Sequence, residues 1–175
     1  MTKRRSGVDL SAFEATRAAV AADPNIGVAT FTTRTTWEEG ARARTMARSF
    51  VLHTDEPEPL GGTDAAVDPM ELVLAAVGTC ITVGWVTQAV RRGIEYRSLE
   101  VQVTGSYDHQ GYLALGTGVR PGLQTIDYTV HVDSDAPAPT LEEIRAAVEA
   151  TSPMFDNVRN ATPVNGSITQ RQGET

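Results

Sequence analysis

The sequence predicts an α+β fold in which antiparallel sheet surrounds one long, buried central helix. Three observations carry this. Strand patterns come in pairs, a Thr- and Val-rich hairpin before the helix and two strands of alternating polarity after it. Helices and strands are segregated along the chain, with no βαβ alternation. Nineteen uncharged residues, 72–90, stand between complete helix start and stop signals. The length, 175 residues, suits one domain spanning 1–175. A compact chain of 18.7 kDa exposes about 8,300 Å² and hides roughly 70% of its unfolded surface, enough for one sizeable core.

In chain order, residues 1–7 form a flexible basic tail carrying Lys3, Arg4 and Arg5. Residues 8–23 hold the first helix, with Leu10, Phe13, Arg17 and Val20 near helical spacing and Asp23-Pro24 as its stop. Residues 26–37 favour a strand, Glu38-Glu39-Gly40 a turn, and 41–53 a returning strand. By parity Arg42, Arg44, Met46, Arg48, Phe50 and Leu52 then share one face, read as a solvated stripe with snorkelling stems. Residues 54–67, with Pro57, Pro59 and Gly61-Gly62, form a loop.

The central helix follows, over 69–92. Asp68 is its N-cap, Pro69 its first residue, and Glu71 completes a capping box. Arg91 and Arg92 complement the macrodipole and Gly93 supplies the stop. Its length matches a bilayer span, yet Gly78, Thr79, Thr82, Gly84, Thr87 and Gln88 interrupt it, so burial inside a globular protein is expected. Leu99 to Tyr107 and Ile126 to Val132 alternate as half-buried strands. Thr140 is read as the cap of a further helix with Leu141, Ile144 and Val148 facing inward, Ser152-Pro153 as the start of a short one, and residues 164–169 as an edge strand.

Fifteen basic and 22 acidic residues give a net charge of −7, which disfavours nucleic acid and anionic membranes as partners. No apolar run follows the basic start, so a cytoplasmic location is expected. The sequence has one cysteine, Cys80, which excludes an intrachain disulfide and Cys-rich zinc sites. His53, His109 and His131 fall in no metal-ligand spacing, and no phosphate-binding glycine fingerprint or serine elbow is present, so neither metal nor cofactor is expected. Cys80 lies three turns into the helix. It reads either as a small core residue or as a reactive thiol, which would need access and a nearby cation. Glu71, nine residues earlier, falls about 180° round the helix from it.

Asp55-Glu56-Pro57, Gly61-Gly62, Asp68-Pro69-Met70-Glu71-Leu72 and Leu74-Ala75-Ala76-Val77-Gly78-Thr79-Cys80 together resemble the OsmC/Ohr superfamily. So do Arg91-Arg92-Gly93-Ile94, Val119-Arg120-Pro121-Gly122-Leu123 and Ser152-Pro153. The resemblance covers 26–170, taken as the family core, and is nearest a less characterised branch. It implies an intertwined homodimer with two sites at the subunit interface. Its peroxidase members reduce organic hydroperoxides with an attacking cysteine, recycled through a second cysteine and a small dithiol. Cys80 matches the attacking cysteine; Ser152 occupies the resolving-cysteine position. The peroxidases' glutamate position is Met70, with Glu71 one residue later as the candidate acid; Arg34 and Arg42 flank the hairpin turn where one branch carries its arginine. The resemblance thus implies an OsmC-like stress-response protein acting as a single-cysteine, thiol-dependent hydroperoxide reductase, reset by a small thiol or dithiol. The alternative is a non-catalytic relative binding a small apolar or thiol ligand in the interface pocket.

Overall fold

A computed structural model describes residues 7–170, so the predicted basic residues Lys3, Arg4 and Arg5 lie outside the described part. The fold is mixed α+β, with two antiparallel sheets and helices. Helix α1 (Leu10–Ala22) is capped by Asp9, whose carboxylate accepts the Ala12 N–H. Asp23 ends it and caps a short 3₁₀ turn, Pro24–Gly27. The strand predicted from residue 26 begins only at Arg34: residues 28–33 have no regular structure, because no other strand among the described residues lies beside them to pair with.

Strands β1 (Arg34–Trp37), β2 (Ala43–Ala47) and β3 (Phe50–Thr54) form a three-stranded meander. The single return strand predicted over 41–53 is therefore two, split by a tight turn at Arg48-Ser49. Arg48 takes a left-handed φ of 57°, a conformation costing an L-residue about 1–2 kcal/mol. That turn overturns the predicted common face. Trp37, Ala43, Ala47, Phe50 and Leu52 share one side of the sheet, while Arg34, Arg44, Met46, Val51 and His53 occupy the other. The apolar side is open: Trp37 is 71% exposed and Phe50 60%.

Helix α2 (Pro69–Arg91) matches its predicted bounds within a residue. Asp68 accepts from the Met70 N–H at 2.6 Å and Glu71 accepts from the Asp68 N–H at 2.9 Å, the reciprocal pair its sequence announces. By length and composition α2 could cross a membrane; in the fold it lies against β4 (Ser98–Ser106), α4 (Ala138–Thr151) and α5 (Pro153–Arg159). Val77, Ile81, Trp85 and Ala89, spaced by four, make its inward stripe. With Ile144, Val148 and Phe155 they form the core, over which β4 and its antiparallel partner β5 (Thr125–Asp133) lay Leu99, Val101, Val103, Tyr128 and Val130. Gly84 lets α4 come close: an added Cβ would stand 3.0 Å from Val148. Burial of α2 all round is not met within one chain, since Val83 on the far side is 66% exposed.

The short helix α3 (His109–Tyr112) follows β4. Helix α4 starts two residues before the predicted cap: Pro137 is its N-cap, and Thr140 lies in the first turn with its N–H bonded to the Pro137 carbonyl. Pro139 favours this start, because its fixed φ suits the first turn and its missing N–H costs nothing there. Ser152 caps α5 as predicted, accepting from the Phe155 N–H at 3.3 Å. The predicted edge strand over 164–169 is not formed; Val164 and Ile168 are almost fully exposed and find no strand to pair with among the described residues.

Candidate functional site

Cys80 lies on the flank of α2, between its buried stripe and its open side, and is half-buried. The α4–α5 junction brings Ser152 to it, with Sγ and Oγ 3.3 Å apart. The junction is set locally. Residue 152 precedes Pro153, which biases it away from helical φ/ψ; its φ of −76° and ψ of 118° break the helix, and its side chain caps the next one. The Ser152 oxygen already accepts the Phe155 N–H, so its own hydrogen is free to point at sulfur. Two residues 72 apart in sequence are thereby brought into contact.

The other predicted residues do not join them within one chain. Glu71 is held by the Asp68 N–H at the start of α2. Arg42 is paired with Glu38 and Glu39 at the hairpin turn, and Arg34 sits opposite Met46 in the three-stranded sheet. Among the described residues no arginine hydrogen-bonds Cys80, and no cluster of His, Cys, Asp and Glu is arranged to hold a metal.

A second constellation was missed in the sequence. Asp55 is 1% exposed and organises the loop after β3. Its carboxylate accepts from the Glu56 and Thr63 N–H groups at 2.9 and 3.1 Å, the Thr63 hydroxyl at 2.6 Å and the Ala65 N–H at 3.2 Å. The Thr63 hydroxyl foremost, with the three amides, lowers its pKa to about 2 against the opposing effect of burial. Gly62 is required by the same fold of the loop, since an added Cβ would stand 1.7 Å from the Glu56 carbonyl oxygen. The loop walls a cavity of about 500 Å³ with the start of α2, the end of β4 and α3. Glu71 lines it and Cys80 does not. Burial, then neighbouring Asp68, pushes the Glu56 carboxyl above its ordinary range, and burial does the same to Tyr107. An acidic Asp-Glu-Pro followed eight residues on by Thr63 was the available signal: a carboxylate facing a stretch of turn amides is a common loop organiser.

Fold and site define an α+β protein whose lone thiol sits mid-helix against the cap of a second helix. The model of the OsmC-like protein family matches residues 62–167, and the chain belongs to that family. Solved structures agree in fold. An OsmC-like protein from Mycoplasma pneumoniae superposes with a TM-score of 0.66 at 17% identity, covering 75% of this chain and 88% of that one. An organic hydroperoxide resistance protein from Legionella pneumophila gives 0.56 at 16%, covering 75% and 90%. One from Elizabethkingia anophelis, with thiocyanate bound, gives 0.57 at 13%, covering 75% and 89%. No curated protein sequence matches the chain at a significant level.

Proposed function

We propose that this protein reduces organic hydroperoxides with Cys80 as its only redox-active thiol, working as an intertwined homodimer. The observation that carries the reading is the half-buried Cys80 sulfur 3.3 Å from a serine hydroxyl whose hydrogen is free to donate. The thiolate attacks one oxygen of ROOH, the O–O bond breaks, and ROH leaves after taking a proton, with Cys80 as the sulfenic acid. Ser152 cannot close a disulfide, so a small thiol condenses with the sulfenic acid and releases water. A second thiol, or the second sulfur of a dithiol, then frees Cys80 and leaves as a disulfide. Relatives of the same fold, described as organic hydroperoxide resistance proteins, support this substrate class.

Dimerisation is supported by what one chain leaves uncovered. Trp37 is 71% exposed, Phe50 60% and Val83 66%. The apolar side of the three-stranded sheet and the open side of α2 are where a second copy would settle. Wrapped in this way, the partner's hairpin is the natural source of a cation for Cys80. The test is consumption of cumene hydroperoxide with dihydrolipoamide supplied. Wild type should turn over and Cys80→Ser should not; equal rates would end the proposal. If neither turns over, ligand-dependent protection of Cys80 from alkylation would instead favour the small-ligand binding reading.

A further inference from the structure

The cavity beside the Asp55 loop lies apart from Cys80, and the chemistry above makes no use of it. Its volume, about 500 Å³, is that of a small-molecule site. Its inner wall is apolar. Leu74, Leu123 and Pro121 line it around Gly105, where an added Cβ would stand 2.7 Å from Leu123 and 3.0 Å from Leu74. The other wall is acidic, and no lysine or arginine contributes to it. The carboxylates there are not equivalent. Asp55, Glu71 and Asp68 each accept backbone N–H groups, Asp68 that of Met70 as the α2 N-cap. Glu56, half-buried, lies within hydrogen-bonding reach of Asp68, so one carboxyl group faces another. Tyr107 and Tyr112 stand on the same wall, and His109, its one nitrogen base, is set edge-on to Tyr107 with ring centroids 5.0 Å apart.

Two carboxyl groups facing each other beside an apolar wall are costly together when both are ionised. A ligand with a positive head and an apolar body relieves the repulsion and fills the wall at once. The side chains are not arranged to hold a metal ion, and an inorganic cation would leave the apolar wall unused. Tyr107 and Tyr112 in the lining can add a cation–π attraction for such a head.

We propose that this cavity binds a small organic ammonium compound, its cationic head between Glu56 and Asp68 beside Tyr107 and Tyr112, and its apolar body against Leu74, Pro121 and Leu123. The probe is 2-phenylethylammonium, with 2-phenylethanol as its neutral isostere, titrated calorimetrically into the full chain at neutral pH. The ammonium should bind about tenfold or more tightly than the alcohol, the scale of one charge-assisted contact in a partly buried site. Glu56→Gln should erase most of that difference. Glu58→Gln, on the same loop but off the cavity wall, should keep it and so controls for net charge. Tyr112→Ala, at an exposed wall position, should weaken the ammonium several-fold. Cys80→Ser should bind as wild type does, which separates this inference from the peroxidase reading. Equal affinity for the two probes, no measurable binding of the ammonium, or equal loss in Glu56→Gln and Glu58→Gln would each overturn it.

Discussion

Replacing Ser152 by cysteine puts a second thiol where the first can reach it. The present Sγ–Oγ separation is 3.3 Å, and a small rotation of the two side chains brings sulfurs to the bonding distance of about 2.05 Å. The residues are 72 apart in sequence. A cross-link closing a loop of that length removes denatured-state entropy worth about 4 kcal/mol. Against this stands the cap: Ser152 accepts the Phe155 N–H, and a thiol accepts more weakly, costing about 1 kcal/mol. Reduced Ser152→Cys should therefore unfold at lower denaturant than wild type, and its oxidised form well above both. Urea titrations with and without reductant, paired with a count of free thiols, read this directly. One equivalent of cumene hydroperoxide should consume both thiols, since the sulfenic acid condenses with the new cysteine and expels water. A folded variant that keeps both thiols free under excess oxidant would refute the placement of Ser152 against Cys80.

Three further outcomes are expected. Asp55 has its pKa depressed on folding to about 2, so it contributes stability that is complete above its unfolded pKa near 4 and is lost as pH falls through about 2; Asp55→Asn should be less stable at neutral pH and show a flatter stability profile across that window in circular-dichroism melts. Gly62→Ala cannot keep the present loop, because the new Cβ would meet a backbone carbonyl, and limited proteolysis should cut within residues 56–66 of the variant well before wild type. Trp37→Asp, on the open apolar side of the three-stranded sheet, should lower the mass measured by light scattering from about twice 18.7 kDa toward the single chain; an unchanged mass would remove that sheet face from the interface.

Central helix α2 was legible because its signals are local and mutually consistent: Asp68, Pro69 and Glu71 at one end, Arg91 at the other. The alternating strands β4 and β5 were legible for the same reason, each pairing with the next strand of matching period. The turn at Arg48-Ser49 was not, since arginine is no marker of a left-handed φ. Without that turn the parity of β3 is inverted, and Phe50 and Leu52 are assigned to the wrong side. Residues 28–33 and 164–169 carry strand propensity with no strand among the described residues to pair against, which propensity alone does not report. Cys80 and Ser152 were brought together only by the family resemblance, because no local pattern links positions so far apart. The cavity draws its wall from loop, helix and strand ends at once, so only the folded chain assembles it.

The three-stranded sheet also sets an order of events during synthesis. It leaves the ribosome before β4 and β5, and domains are made N-terminus first. Its strands can pair with one another at once, but among the described residues nothing covers Trp37 and Phe50 on its apolar side, which stay 71% and 60% exposed even with α2 formed. Among its ties to the rest are the Thr54–Val67 bridge and the Asp55 loop. A single newborn chain therefore carries Trp37, Phe50 and Leu52 exposed to water. In the proposed homodimer a second copy would cover these side chains, so dilution or a low rate of expression would prolong their exposure to chaperones and proteases.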